Sequence, residues 1–483
     1  MENYNACSRL STGIKGLDEI LCGGLKAGQS YLLRGGPGSG KTIVGLNYLQ
    51  SGVAAGEKVL YVTLEESESN ICRNARDLGL DMTGCEFLDL SVTSEFFAES
   101  KTYDIFSPAE IEGESFSHVI VEAVSRMTPS RVFVDPLIQF RYLASDLFQY
   151  RKQVASFLRF LTDRGATVLF TSESSEQAPD DDLQFMADGV IELSNRLDQG
   201  RSIVVNKFRG SEFKVGRHSM TLTKDGIKVY PRLLPELYQQ EFSLDVISSG
   251  VPELDELFNG GVERGTVTII SGPSGVGKTT LGLQFMKEAA GRGERSVVFS
   301  FEEEIEIMLR RCESINIPAR KMVEKGTLSM VKVEPLQLAP DEFSNLLRYH
   351  VEELNSEIVM IDSLASFKLS TPNDDVVSRL HALLKYCQNM GVAALLVVET
   401  AHVVGDFQIT DIGVSYLADN TIFLRYLEID GELRKAIGVL KKRLSDFEKT
   451  LREFEISRYG IKVGEPLSNL RGILTGVPEW INR

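Results

Sequence analysis

No apolar run in this 483-residue chain approaches the roughly 18 residues that a membrane span needs. The opening residues, MENYNACSRLSTG, are polar and lack the apolar core of a secretory signal. Six cysteines (Cys7, Cys22, Cys72, Cys85, Cys312 and Cys387) are scattered without a C-x-x-C pair, and five histidines form no metal-spaced cluster. That argues against a disulfide framework and leaves free thiols in a reducing cytoplasm as the expected setting. Basic residues are in deficit: 52 Lys and Arg against 68 Asp and Glu, a net charge of −16. Global attraction to nucleic acid or an acidic membrane is therefore not expected. Hydrophobic residues at 43% and charged ones at 25% are ordinary for a soluble globular chain long enough for two or three domains.

Against these absences stands one string that occurs twice: GGPGSGKTI at 35–43 and GPSGVGKTT at 272–280. Gly, four residues, Gly-Lys-Thr is the pattern of a phosphate-binding loop. Its glycines let backbone amides approach an anion, its lysine reaches the β- and γ-phosphates, and its threonine hydroxyl ligates magnesium. The nucleotide-binding candidates are Gly38, Ser39, Gly40, Lys41 and Thr42 in one copy, and Gly275, Val276, Gly277, Lys278, Thr279 and Thr280 in the other. QSYLLRG and TVTIISG before the loops read as buried strands, and TIVGLNYLQSGVAAG and TLGLQFMKEAAGRG after them as helices, the setting the motif requires.

The repetition extends far beyond the loops. STGIKGLDEILCGGLKAGQ (11–29) mirrors SSGVPELDELFNGGVERGT (248–266), and EKVLYVTLEESE (57–68) mirrors ERSVVFSFEEEI (294–305), all at a spacing of 237. SRVFVDPL (130–137) pairs with EIVMIDSL (357–364), ATVLFTSE (166–173) with AALLVVET (393–400), MADGVIEL (186–193) with LADNTIFL (417–424), and SIVVNKFRG (202–210) with AIGVLKKRL (436–444). The proline-containing YPRLLPELYQQEFS (230–243) is the natural seam, giving expected domains 1–239 and 240–483. Within each half strands alternate with helices, which implies a mostly parallel, covered sheet with some antiparallel strands near each C-terminal end.

Phosphate chemistry needs more than a loop. Asp135 and Asp362 end apolar runs, where an acidic group is expected near magnesium together with Thr42 and Thr279. Glu65-Glu66 and Glu302-Glu303 follow another strand at one offset from the loop lysine. One carboxylate of each pair is expected to orient water or accept a hydroxyl proton. Acidic residues also favour the positive end of the helix that follows, which accounts for Glu68 and Glu304. Lys207 with Arg209 and Lys441 with Arg443 sit at i, i+2 and are expected to point to one face, either as solvated surface or to reach a phosphate across a subunit boundary.

Two RecA-like halves, each with an S/TG-x4-LD-x4-GG string, a phosphate loop, a Glu-Glu pair and a terminal K-x-R, resemble the KaiC family of circadian clock ATPases and autokinases. The likeness spans nearly the whole chain and is strongest in EIVMIDSLAS, ITDIGVSYLADNTIFLRYLEIDGELRKAIGVLKKR and SNLRGILTGVP. It implies a fold of two tandem RecA-like domains, an α/β class with mostly parallel sheets flanked by helices. It also implies a nucleotide-dependent homohexameric double ring with ATP and Mg2+ at subunit interfaces. Lys207, Arg209, Lys441 and Arg443 would touch nucleotide bound to the neighbour, the first half would hydrolyse ATP slowly, and the second would phosphorylate the protein, with Glu302 as general base and Glu303 beside it. In ITDIGVSYLADN, Ser415 stands at the family's acceptor serine, Tyr416 replaces the acceptor threonine, and Thr410 matches a nearby threonine. Ser415 is thus the expected phosphoacceptor, with Tyr416 or Thr410 as alternatives. The chain stops at GVPEWINR, without the tail that engages KaiA in the family, so KaiA dependence is not expected; a KaiB-like partner on the first half is left open by the resemblance, with no residue that demonstrates it. Two further readings of the same loops are a RadA- or RecA-like DNA-dependent motor and a non-catalytic scaffold. No long basic run supports the first, and both halves keep the full residue set against the second.

Overall fold

A computed structural model describes residues 8–91, 119–141, 144, 146–173, 180–196, 200–224, 226–335, 337–369, 376–400, 415–429, 431–473 and 479–480. The chain separates into two compact units, residues 1–232 and 233–483. Residues 233–239, which the sequence groups with the first half, pack on the second. Leu233 joins that unit's core, and Asn389 Nδ2 donates to Pro235 O at 2.9 Å.

Each unit is built on a nine-stranded sheet. In the first, the strands run Glu86–Asp89, Val59–Thr63, Arg131–Asp135, Thr167–Ser172, Ser30–Arg34 and Gly189–Arg196, all parallel. Gly200–Phe208, Arg217–Thr223 and Gly226–Tyr230 then extend the sheet antiparallel. In the second, Leu328–Lys332, Arg295–Ser300, Ser356–Asp362, Ala393–Glu399, Val267–Gly272 and Asn420–Ile429 are the parallel set, followed by antiparallel Glu432–Lys442, Arg452–Ser457 and Gly460–Pro466. The expected mixture of a parallel majority with antiparallel strands at one side is what forms.

The parallel strands read as unbroken apolar runs because both faces are covered. Successive side chains point to opposite faces. Tyr31 and Leu33 enter the core under the helix Lys41–Ala54, while Leu32 enters the core under Leu147–Thr162. The second unit repeats this: Ile270 packs with the helix Lys278–Gly291, and Ile269 packs with Pro340–Glu352 and Val376–Asn389. Burial of each large aliphatic side chain contributes about 1.5–3 kcal/mol, so two cores per sheet hold the strands in register against chain entropy.

The S/TG-x4-LD-x4-GG string has a structural cause. Asp18 Oδ1 accepts from the amide and hydroxyl of Thr12, both at 2.7 Å, and Asp255 Oδ1 does the same for Ser249. The second glycine is required by close approach: a Cβ on Gly24 or Gly261 would lie 2.3 or 2.1 Å from a carbonyl oxygen. This motif braces the entry to each half. Among the described residues no helix is long and apolar enough to cross a membrane, and the five described cysteines are free.

Candidate functional site

Both phosphate loops leave the C-terminal end of a central strand, where open α/β sheets place their ligand crevices. The helix that follows each loop starts at the lysine, and Gly40 and Gly277 precede it at φ 105° and 116°, a left-handed conformation that favours glycine. Their helices thus point unsatisfied N–H groups and the positive dipole end at the loop. Lys41 and Lys278 are only 7% and 8% exposed. Lys41 Nζ donates to Gly35 O at 2.8 Å and Gly36 O at 3.1 Å, and lies 3.1 Å from Glu173 Oε1. Lys278 Nζ donates to Pro273 O at 2.8 Å. Burial holds the Lys278 ammonium below its ordinary pKa, opposed by the charges of Glu399, Asp362 and Glu302.

Thr42 Oγ1 donates to Asp135 Oδ2 at 2.7 Å, and Thr279 Oγ1 to Asp362 Oδ2 at 2.6 Å. The expected threonine–aspartate pairs therefore meet in both halves. A hydroxyl and a carboxylate beside a buried lysine, under a helix N-terminus, suit a divalent cation carrying phosphate oxygens. Each pair lines a cleft, of about 470 Å³ in the first half and about 430 Å³ in the second, together with Glu65 and Glu66 or Glu302 and Glu303. Gly38, Gly40, Gly275, Gly277 and Thr280 line these clefts too. Ser39 and Val276 do not project into them: both side chains are buried behind the loop, at 1% and 0% exposure, so what they offer a ligand is backbone.

The twin sites differ in detail. Asp135 also accepts from Tyr61 Oη at 3.1 Å and from Thr171 Oγ1. Strand register puts Val298 at the position of Tyr61 and Val397 at that of Thr171, so Asp362 keeps only its threonine partner among these. Desolvation raises the Asp362 carboxyl above its usual pKa, with the Thr279 hydrogen bond and Arg311 opposing. In the second half Glu302 Oε1 accepts from Ser366 Oγ at 2.7 Å and from Ser363 Oγ, and Glu303 pairs with Arg311 at 2.9 Å.

The four strand-end cations are absent from the lining of their own clefts. Lys207 Nζ donates to Gln184 O and Phe185 O at 2.9 and 3.1 Å, and Arg209 lies 3.3 Å from Asp188. Lys441 Nζ donates to Ala418 O at 2.5 Å, and Arg443 lies 3.2 Å from Asp419. Arg209 and Arg443 fall one residue or so past their strands, but both cations of each pair face one turn, as the i, i+2 spacing predicts. Burial first, then the adjacent arginine, lowers the pKa of Lys207 and Lys441. Ser415 opens the 3-10 turn Ser415–Leu417, next to Tyr416, which is 55% exposed. Thr410 lies outside the described residues.

Sequence reasoning missed two pairs. Glu173 and Glu399 occupy equivalent positions: the strands pair Ser30 with Val168 and Val267 with Ala394, one residue out of step with the 166–173 and 393–400 pairing read from sequence. Matching the apolar strands rather than the trailing ETs and SEs finds them. Arg201 Nη1 and Lys435 Nζ each reach a phosphate-loop carbonyl, Gly38 O at 2.7 Å and Gly275 O at 3.4 Å. Only the hairpin register reveals that contact.

The family described as ATPase: KaiC matches the chain twice, over residues 10–233 and 247–468. The chain is 30% identical over 487 residues to the circadian clock protein KaiC3 of Synechocystis, covering 99% of this chain and 96% of that protein. It is 28% identical over 491 residues to the circadian clock oscillator protein KaiC of Synechococcus elongatus, covering 99% and 93%. Two family matches, each laid over one phosphate-loop site, and near end-to-end likeness to these proteins place the chain in the KaiC family of ATPases.

Proposed function

We propose that the second half transfers the γ-phosphoryl group of ATP to Ser415 of a neighbouring copy in a nucleotide-dependent homohexamer, and that the first half hydrolyses ATP. The observation that carries this reading is the company Ser415 keeps. It starts a turn whose next carbonyls are gripped by Lys441 and Arg443, and neither of these two cations lines the cleft of its own half. Paired cations held outside their own cleft, beside the turn that Ser415 opens, support a meeting of that turn with the cleft of another copy.

Lys41 and Lys278 would bind the β- and γ-phosphates, and Thr42 with Asp135 and Thr279 with Asp362 would hold Mg2+. When bound, the cation offsets charge on the phosphate oxygens. Ser415 Oγ attacks phosphorus in line, the Oγ–P bond forms as the bond to the ADP oxygen breaks, and Glu302 takes the hydroxyl proton. Lys441 and Arg443 would neutralise charge from the neighbour, and Lys207 and Arg209 would do so in the first half. Glu65 or Glu66 would orient water there. A clock-like or signalling role follows from the relatives' names, and a KaiB-like partner belongs to the same proposal without support from them.

The test is ATP labelled at the γ-position, with intact mass and site mapping. Label is expected on Ser415, absent in Ser415→Ala, and reduced by about 10²-fold or more in Glu302→Gln. An unlabelled wild type, or label retained in full by Glu302→Gln, overturns the reading.

A further inference from the structure

The two halves present the same pair of adjacent glutamates in different ways. In the second half Glu302 is anchored through one oxygen by the hydroxyls of Ser363, which directly follows Asp362, and Ser366, on the short helix Leu364–Leu369. Glu303 is drawn the other way, to Arg311 on the helix Ile305–Ser314. Both carboxylates, Arg311 and Ser363 line one cleft. The tethers come from three residues that the duplication has not copied: Pro136, Gln139 and Asn74 hold the matching positions in the first half. Among the described residues no side chain hydrogen-bonds to the carboxylate of Glu65 or Glu66. Two neighbouring carboxylates that are free to move repel each other, and only one can face the attacking group.

We infer that Ser363, Ser366 and Arg311 are positioning residues that sort the glutamate pair of the second site, fixing Glu302 toward the reacting hydroxyl and withdrawing Glu303. The inference rests on Glu302 being the base of the phosphoryl transfer. It gives a physical reason why that transfer belongs to the second half: a serine nucleophile needs one fixed acceptor for its proton, whereas water, small and mobile, can find either of two untethered carboxylates. Two hydroxyl donors on one oxygen leave the other oxygen of Glu302 to accept.

The experiment compares full-length wild type with Ser363→Ala/Ser366→Ala, Ser366→Ala, Ser366→Thr, Arg311→Asn, Arg311→Lys and Glu302→Gln. Single-turnover self-phosphorylation is followed over a range of ATP, with nucleotide binding and thermal unfolding of each variant recorded alongside. The double serine variant is expected to lose about tenfold or more in kcat with KM for ATP changed less than about twofold, since positioning acts on the transition state. Ser366→Thr keeps the hydroxyl and is expected to recover what Ser366→Ala loses. Arg311→Lys keeps the charge beside Glu303 and is expected to recover part of what Arg311→Asn loses. If Glu302→Gln phosphorylates normally, the assignment of the base fails. If Glu302→Gln is inactive but the double serine variant keeps wild-type kcat, the positioning inference alone fails. It also fails if kcat falls only in step with ATP binding or folding, or if threonine does not recover activity, because the serines are then structural.

Discussion

Phe185 stands in the first half where Tyr416 stands in the second. The carbonyl of each accepts from an arginine past a strand end, Arg209 at 3.4 Å and Arg443 at 3.2 Å, and the aspartate three residues on pairs with that same arginine. The two residues are 78% and 55% exposed. An aromatic ring without a hydroxyl fills this place in one half, so the ring and not the phenol is what the position uses. A tyrosine oxygen also lies several ångströms farther from its Cα than a serine oxygen and cannot reach the same point of attack. Tyr416→Phe is therefore expected to keep self-phosphorylation within about twofold. Phosphotyrosine at 416 in mapped peptides, with label lost in the phenylalanine variant, would move the acceptor from Ser415.

The two phosphate loops predict two independent nucleotide sites. Lys41 and Lys278 are each buried, so truncation removes a desolvated cation from a phosphate cradle. Such losses cost about 2–5 kcal/mol, at least about 30-fold in affinity. Equilibrium titration should find two ATP bound per wild-type chain and one in Lys41→Ala or Lys278→Ala. Two sites surviving in either variant would mean that the lysine does not bind phosphate there.

The loops and the strand-end aspartates are legible because each depends on local sequence: a glycine turn, an apolar run. Ser39 and Val276 show where locality ends, since a loop motif does not say which side chains turn inward. Glu173 and Glu399 show it again. Their equivalence depends on which strand residues pair across the sheet, and a one-residue slip in matching two apolar strands conceals it. The contrast between Asp135, with Tyr61 and Thr171, and Asp362, beside Val397, needs that same register. So do the tethers of Glu302, which come from a segment some sixty residues away in the chain.

Asp362 predicts a dependence of stability on pH. Its carboxyl pKa is raised above the ordinary 3.8 by desolvation. Between the unfolded and folded values the native chain holds a proton that the unfolded chain has lost. Stability from this group therefore falls as pH rises through that window, and the full cost is present at neutral pH. Asp362→Asn keeps a partner for Thr279 and removes the buried charge. The nucleotide-free variant is expected to melt higher at pH 7, by about 2–4 °C for each 1 kcal/mol relieved, with the advantage shrinking as pH falls toward the ordinary value. It should lose magnesium-dependent ATP binding in the second half. A lower Tm at pH 7 would show that the carboxylate is stabilising as it stands.

Gly45 and Gly282 occupy the same place in the two phosphate-loop helices, against the strand that ends in the aspartate, and they predict opposite tolerances. A Cβ on Gly45 would lie 2.1 Å from Phe133 Cζ, and one on Gly282 would lie 2.3 Å from Met360 Sδ. Phe133 is fully buried and packs edge-on against Tyr61 at 5.0 Å, so the ring has nowhere to go. Met360 has three rotatable bonds and a soft sulfur that yields. Overpacking costs about 1–3 kcal/mol, and replacing a mid-helix glycine by alanine returns up to about 1 kcal/mol. Gly45→Ala is thus expected to destabilise the first half by about 1–2 kcal/mol and Gly282→Ala to leave the second nearly unchanged. Calorimetry of the full chain reads both. Equal stability of the two variants would mean that the Phe133 ring shifts as freely as the methionine, and that the core around Tyr61 is looser than its packing indicates.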